Sequence, residues 1–127
     1  MPALRTMALA AATTALAAAA FGTSGPATAD TFRQVTDRST FMQLVDGRTL
    51  NYPGVTLRVT PDGTIRGKGL GRNVRGAWQW RGGYFCRDLF WGQRELGANC
   101  QMVLQNGSTL RFVSDRGQGQ SADLRLR

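Results

Sequence analysis

The chain has 127 residues, 16 basic against 8 acidic side chains, a formal charge of +8 and no histidine. The missing histidine rules out a Ser-His-Asp triad, the usual near-neutral acid and base, and several metal-ligand patterns. Two cysteines alone fall short of a tetrahedral zinc set, so nothing in the composition points to a metal or another cofactor.

The first 29 residues read as a unit of their own. Arg5 precedes an apolar, alanine-rich run from Met7 to Phe21, and Ala27-Thr28-Ala29 follows a Gly/Ser/Pro stretch. A basic start, an apolar middle and a small-x-small end describe a secretory signal peptide cut after Ala29, so the expected location is periplasmic or secreted. No later stretch reaches the roughly 18 apolar residues of a membrane helix. Removing residues 1–29 leaves 98 residues, and with Arg5 gone 15 basic and 8 acidic side chains, a charge of +7. A single domain of that size lies near the lower limit for a core without covalent help.

Residues 30–54 form an N-terminal arm and a short helix. Thr31 to Val35 is a leading strand or an extended arm. Asp37 to Val45 is the helix, with Asp37 or Ser39 as its cap and Phe41, Leu44 and Val45 as a narrow apolar stripe. Asp46-Gly47 stops it, and Arg48 to Gly54 reads as a crossing loop.

Residues 55–127 are a meander of about seven antiparallel strands. Val55, Leu57 and Val59 alternate with polar residues, Pro61-Asp62-Gly63 turns the chain, and Ile65, Gly67 and Gly69 answer them. After a turn at Leu70 to Asn73, the residues Val74, Gly76, Trp78 and Trp80 continue that face. A turn centred on Gly82 pairs Trp80 with Tyr84, which sends Cys86, Asp88 and Phe90 to the inner side. A three-residue turn at Gly92 to Arg94 then pairs Trp91 with Glu95 and sets Cys86 opposite Cys100. Opposed positions on antiparallel strands meet the geometry of a disulfide, and this loop length contributes on the order of 3 kcal/mol. Ala98, Cys100, Met102 and Leu104 follow, then the Asn106-Gly107 turn, Leu110 with Phe112, and a last strand with Ala122, Leu124 and Leu126.

The fold class is therefore all-β, a small antiparallel meander closed as a barrel or half-barrel with one short N-terminal helix, because so many short strands leave exposed edges unless they curl. Val55, Leu57, Val59, Ile65, Val74, Trp78, Trp80, Tyr84 and Met102 are the expected core. Gly67, Gly69 and Gly76 lie beside the tryptophans, where the missing side chains permit a bend.

Candidate sites are sparse. Gly67-Lys68-Gly69-Leu70-Gly71 lacks the spacing and the strand-to-helix setting of a phosphate loop. A glycosidase pair would have to come from Asp88 and Glu95, or from the more distant Asp115 and Asp123. Asp88 faces inward in this register and needs backbone donors or an arginine, unless a bulge turns it out. Arg58, Arg66, Lys68, Arg75 and Arg87 form an outward basic face, with Arg58 opposite Arg66 and Lys68 opposite Arg75. That face is either solvated surface or a contact for an acidic protein or anionic envelope lipid. Export argues against nucleic acid, and no RNA-binding aromatic motif accompanies it. Phe85, Leu89, Trp91 and Val103 form a second outward cluster, either the seat of the helix or a partner patch.

Phe41-x-x-Leu-Val-Asp-Gly-Arg, Val59-Thr-Pro-Asp-Gly-Thr-Ile-x-Gly, Gly83-Tyr-Phe-Cys-Arg and Leu110-Arg-Phe-x-Ser-Asp-Arg-Gly resemble a family of small exported proteobacterial proteins with no established activity. Members often carry the label dihydrodipicolinate reductase. The residues contradict that label, because such a reductase is a longer two-domain enzyme whose glycine fingerprint and histidine-lysine motif have no counterpart here. The design is also similar to small periplasmic barrels that inhibit proteases or lysozyme, a likeness of fold alone. The expected function is an exported, disulfide-bonded binding or inhibitor-like module. An envelope-associated structural protein using its basic face is the alternative, with an enzyme of unknown reaction behind both.

Overall fold

A computed structural model describes residues 31–127, and the expected signal peptide, residues 1–29, lies outside the described residues. The elements in chain order are β1 (Arg33–Val35), α1 (Arg38–Val45), β2 (Leu50–Tyr52), β3 (Val55–Val59), β4 (Thr64–Gly69), β5 (Arg72–Arg81), β6 (Tyr84–Trp91), β7 (Arg94–Asn106), β8 (Thr109–Val113), a turn at Ser114–Gly117 with Asp115 and Arg116 in left-handed backbone, and β9 (Ser121–Leu126). Strands β2 to β9 pair each with the next, and β9 returns to β2 to close an eight-stranded antiparallel barrel. The segment read as a crossing loop thus contains the closing strand, with Leu50 opposite both Leu57 and Leu126. Three residues between a helix and a turn carry too little alternation to announce a strand.

Strand β7 is long enough to serve two neighbours along one edge. Its first part pairs with β6 as far as Gln101, and its last part pairs with β1 through Val103, Leu104 and Gln105. On its other edge, β8 pairs from Met102 onward. Closure leaves few unpaired backbone groups for another chain to recruit.

Two inward glycines set the curvature. A Cβ built on Gly67 would lie 1.9 Å from the Thr56 carbonyl oxygen, and one on Gly76 would lie 2.1 Å from that of Asp88. Neighbouring backbones therefore approach where any side chain would hold them apart, and the sheet can coil. The bend expected from these positions is present.

Helix α1 carries the centre of the core. Asp37 caps it, accepting from the Thr40 backbone N–H at 2.9 Å and the Thr40 hydroxyl at 2.8 Å. Phe41 is fully buried, with ring centroids 5.0 Å from Phe85, 5.1 Å from Trp80, 5.5 Å from Trp78 and 6.5 Å from Phe112. Removing such a ring costs about 3–5 kcal/mol. Val35, Val45, Leu50, Val59, Ile65, Val103, Leu110 and Leu126 complete the buried cluster. All three indole N–H groups donate to backbone carbonyls: Trp78 to Thr60 at 2.9 Å, Trp80 to Thr36 at 3.1 Å and Trp91 to Gly69 at 2.7 Å. Each tryptophan thereby ties β5 or β6 to a neighbouring segment while its ring stays apolar.

One turn differs from the sequence expectation, with wide effect. Gly82 and Gly83 form a two-residue hairpin at φ 55° and 87°, which pairs Arg81 with Tyr84 and Trp80 with Phe85. A slip of one residue flips every side chain. Phe85, Arg87, Leu89 and Trp91 consequently share the inner face of Trp78 and Trp80, while Tyr84, Cys86, Asp88 and Phe90 turn outward. Along β7 the buried residue is Val103, so Tyr84 and Met102 leave the expected core. The next turn is also shorter than expected, pairing Trp91 with Arg94, but a bulge between Leu89 and Phe90 restores the register. Cys86 and Cys100 are therefore Cα partners and bonded, as expected, on the outer face.

Candidate functional site

The corrected register builds a trough on the outside of β5, β6 and β7. One rung across it is Ala77, Asp88 and Ala98, and the next is Gln79, Cys86 and Cys100. The two alanines are exposed but short, so the Asp88 carboxylate lies in a depression between them. The trough encloses about 940 Å³, with Arg38, Asp62, Arg81 and Asn99 at its margins. The disulfide fixes its floor by joining β6 to β7.

Asp88 is the polar centre. Its Oδ1 is buried and has no hydrogen-bond partner among the described residues. A desolvated carboxylate oxygen without a donor is costly to leave in place. The other charged groups at the margin are engaged. Arg38 donates from Nη2 to the Pro61 carbonyl at 2.7 Å, and its guanidinium lies 5.1 Å from the Trp78 ring centroid. Arg81 donates to Gln79 at 2.9 Å. The Thr60 hydroxyl and the Thr64 side chain and backbone hold the Asp62 carboxyl below its ordinary range. Arg38 and Arg81 keep their charge, but Asp88 Oδ1 is the one buried side-chain oxygen or nitrogen among the described residues left without a hydrogen-bond partner.

The basic face survives in changed form. Arg58 faces Arg66 as expected, but Arg66 rather than Lys68 faces Arg75, while Lys68 faces Thr56 and Asn73. Arg58, Arg66 and Arg75 thus make one exposed rung across three strands, with Lys68 beside it. The Arg75 guanidinium lies 4.7 Å from the Phe90 ring centroid. Among the described residues the one ion pair is Arg111–Asp123 at 2.7 Å, so no carboxylate lies within ion-pair distance of this rung, although Asp62 feels the charge of Arg66. Arg87 does not belong to it, since it points into the barrel.

The second outward cluster is also displaced. Phe85 and Val103 are buried, Leu89 packs against the core, and Trp91 shares their inward face. They do seat the helix, through the contact of Phe41 with Phe85, but from inside the barrel. Glu95 pairs with Phe90 two rungs from Asp88, while Asp115 bonds Asn99 and Asp123 bonds Arg111, so the carboxylates do not assemble into a facing pair. Among the described residues no group of three or more His, Cys, Asp or Glu could hold a metal ion.

Sequence reasoning missed the trough because it placed Asp88 inside. A readable signal existed: alternation taken from Phe85 through Leu89 to Trp91 is as apolar as that from Tyr84 through Cys86 to Phe90. The chain forms a small disulfide-bonded β-barrel domain. No protein-family model, curated protein or solved structure matches it.

Proposed function

We propose that the chain is an exported binding module, inhibitor-like in design, that holds a basic side chain of a protein partner in the trough over Asp88. The observation that carries this reading is the buried, unpartnered Oδ1 of Asp88 between two alanines. A lysine or arginine head entering between Ala77 and Ala98 meets a partly desolvated carboxylate, where charge-assisted hydrogen bonds are strong. Disulfide and barrel hold the floor rigid, which limits the ordering cost of binding. The signal-peptide pattern of residues 1–29 supports a partner in the cell envelope or outside it. The test is a binding screen of the mature domain and its Asp88→Asn variant against purified envelope proteins and cell-wall hydrolases. A complex weakened about tenfold or more by the substitution, roughly 1.4 kcal/mol, is the expected result. Equal binding by both proteins would remove Asp88 from the account, and reproducible turnover by the protein alone would defeat the non-enzyme reading.

The arginine rung favours a second reading, in which the domain associates with anionic envelope lipid. Three like charges side by side oppose folding, so a role in binding accounts for them better than stability does. Without an amphipathic membrane helix, such association is electrostatic and reversible. It should vanish as salt shortens the Debye length from about 10 Å at 0.1 M to about 3 Å at 1 M. Changing Arg58, Arg66 and Arg75 to glutamate should abolish co-sedimentation with phosphatidylglycerol vesicles at low salt. Equal recovery of both proteins with the vesicles would exclude the rung.

A further inference from the structure

We propose that the barrel interior is a second binding site, across the sheet from Asp88, for a small monocarboxylate with a compact apolar body. Phe41 and the rings around it fill one part of the barrel, but the remainder contains a half-open cavity of about 150 Å³. Leu57, Leu89, Phe112 and Leu124 are among its apolar walls, and Arg87 and Gln101 are the two polar side chains that reach it. An apolar cavity near 150 Å³ accepts a ring the size of benzene, so size limits the apolar body to about six carbons unless a tail leaves by the mouth.

Arg87 determines the charge of the ligand. Its register turns it inward between Trp78 and Asn99, and desolvation there lowers its pKa, opposed by the charge of Asp88. A guanidinium keeps its charge under such a shift. Asp88, the next residue, faces the opposite side of the sheet, and no carboxylate lies within ion-pair distance of Arg87 among the described residues. One of its five N–H groups donates within the protein, from Nη1 to the Gly97 carbonyl at 2.9 Å, which anchors the head without neutralising it. A charged fork in an apolar chamber matches a carboxylate, which accepts two parallel N–H bonds. Gln101 donates one N–H to the Ser114 hydroxyl at 3.3 Å and retains a second for the ligand.

Benzoate and hexanoate serve as probes, with benzyl alcohol as the uncharged counterpart, in titrations of the mature domain followed by tryptophan fluorescence and amide chemical shifts. The expected result is saturable benzoate or hexanoate binding with a Kd of about 1 mM or tighter. Its shifts should centre on Arg87, Leu89 and Gln101, and benzyl alcohol should bind about tenfold more weakly. Arg87→Met should reduce benzoate to the level of the alcohol. Ala122→Leu, which lengthens a side chain on the cavity wall and leaves Arg87 in place, should block both probes and keeps the test decisive if Arg87→Met fails to fold. Equal affinity for acid and alcohol, undiminished benzoate binding by either folded variant, or no binding of either acid at about 10 mM would overturn the proposal. The Asp88→Asn variant removes the negative charge beside Arg87 and should bind benzoate at least as tightly as the wild type, which separates this site from the trough, where the same substitution weakens binding.

Discussion

Replacing Gly76 with alanine tests the barrel's curvature at a single atom. The new Cβ would stand 2.1 Å from the Asp88 carbonyl oxygen and 2.8 Å from Leu89 Cδ2. A relaxed C–H···O contact needs about 3.3 Å, so β5 and β6 must part by about 1 Å. Overpacking of this kind costs typically 1–3 kcal/mol, and alanine recovers only about 0.4–1 kcal/mol through the unfolded chain. A net loss of about 1.3 kcal/mol corresponds to a fall of roughly 5–10 °C in melting temperature for a domain this small. Gly67→Ala, at 1.9 Å from the Thr56 oxygen, should behave the same way. Gly69 supplies the control, because its Cβ would meet Val74, Trp91 and Val55 at 3.4–3.7 Å, ordinary contact. Gly69→Ala should therefore melt at or slightly above the wild type. Thermal circular dichroism of the four proteins decides the matter. A Gly76→Ala protein that melts with the wild type, or a Gly69→Ala protein that falls as far, would refute the close approach.

Reducing the Cys86–Cys100 bridge, or replacing Cys86 with serine, should cost about 2–5 kcal/mol, since the bond closes a loop of sequence separation 14; an unchanged melting temperature under reductant would contradict this. Acid should weaken the fold through Asp37, Asp62 and Asp123, whose carboxyls are held below the ordinary 3.8 by Thr40, by Thr60 with Thr64, and by Arg111. Depressed folded values mean the unfolded chain binds more protons at low pH, so this stability is complete above about pH 5 and is lost as pH falls through the folded values. Melting temperature should be level from about pH 7 to 5 and drop below about pH 4, with a shallower drop in the triple Asp→Asn variant; an identical acid slope in that variant would count against these contacts.

Much of the fold was legible because most strands are apolar on one side only. Val59, Ile65, Val74, Trp78, Leu110, Phe112 and Leu126 lie where alternation puts them, and Asp37 caps the helix it precedes. The failures concentrate where alternation carries no direction. In β6 both faces are rich in large residues, so only the turn sets the register, and Arg81-Gly82-Gly83 permits either a two- or a three-residue connection. The Cys86–Cys100 pairing survived because the short second turn and the bulge after Leu89 offset each other. The site was less legible for the same reason. Asp88 and Arg87 exchange sides with that one slip, which moves a carboxylate to the surface trough and a guanidinium into the lumen.

In the proposed function, the Asp88 carboxylate, with its unpartnered Oδ1, makes the trough a receptor for a basic side chain. Amide chemical shifts of the mature domain, recorded during titration with the peptide acetyl-Gly-Lys-Gly-amide, test it most directly. Saturable shifts confined to Ala77, Cys86, Asp88 and Ala98, absent when the lysine is acetylated and absent in Asp88→Asn, are the predicted result. Shifts scattered over the surface, or the same shifts from the acetylated peptide, would contradict it.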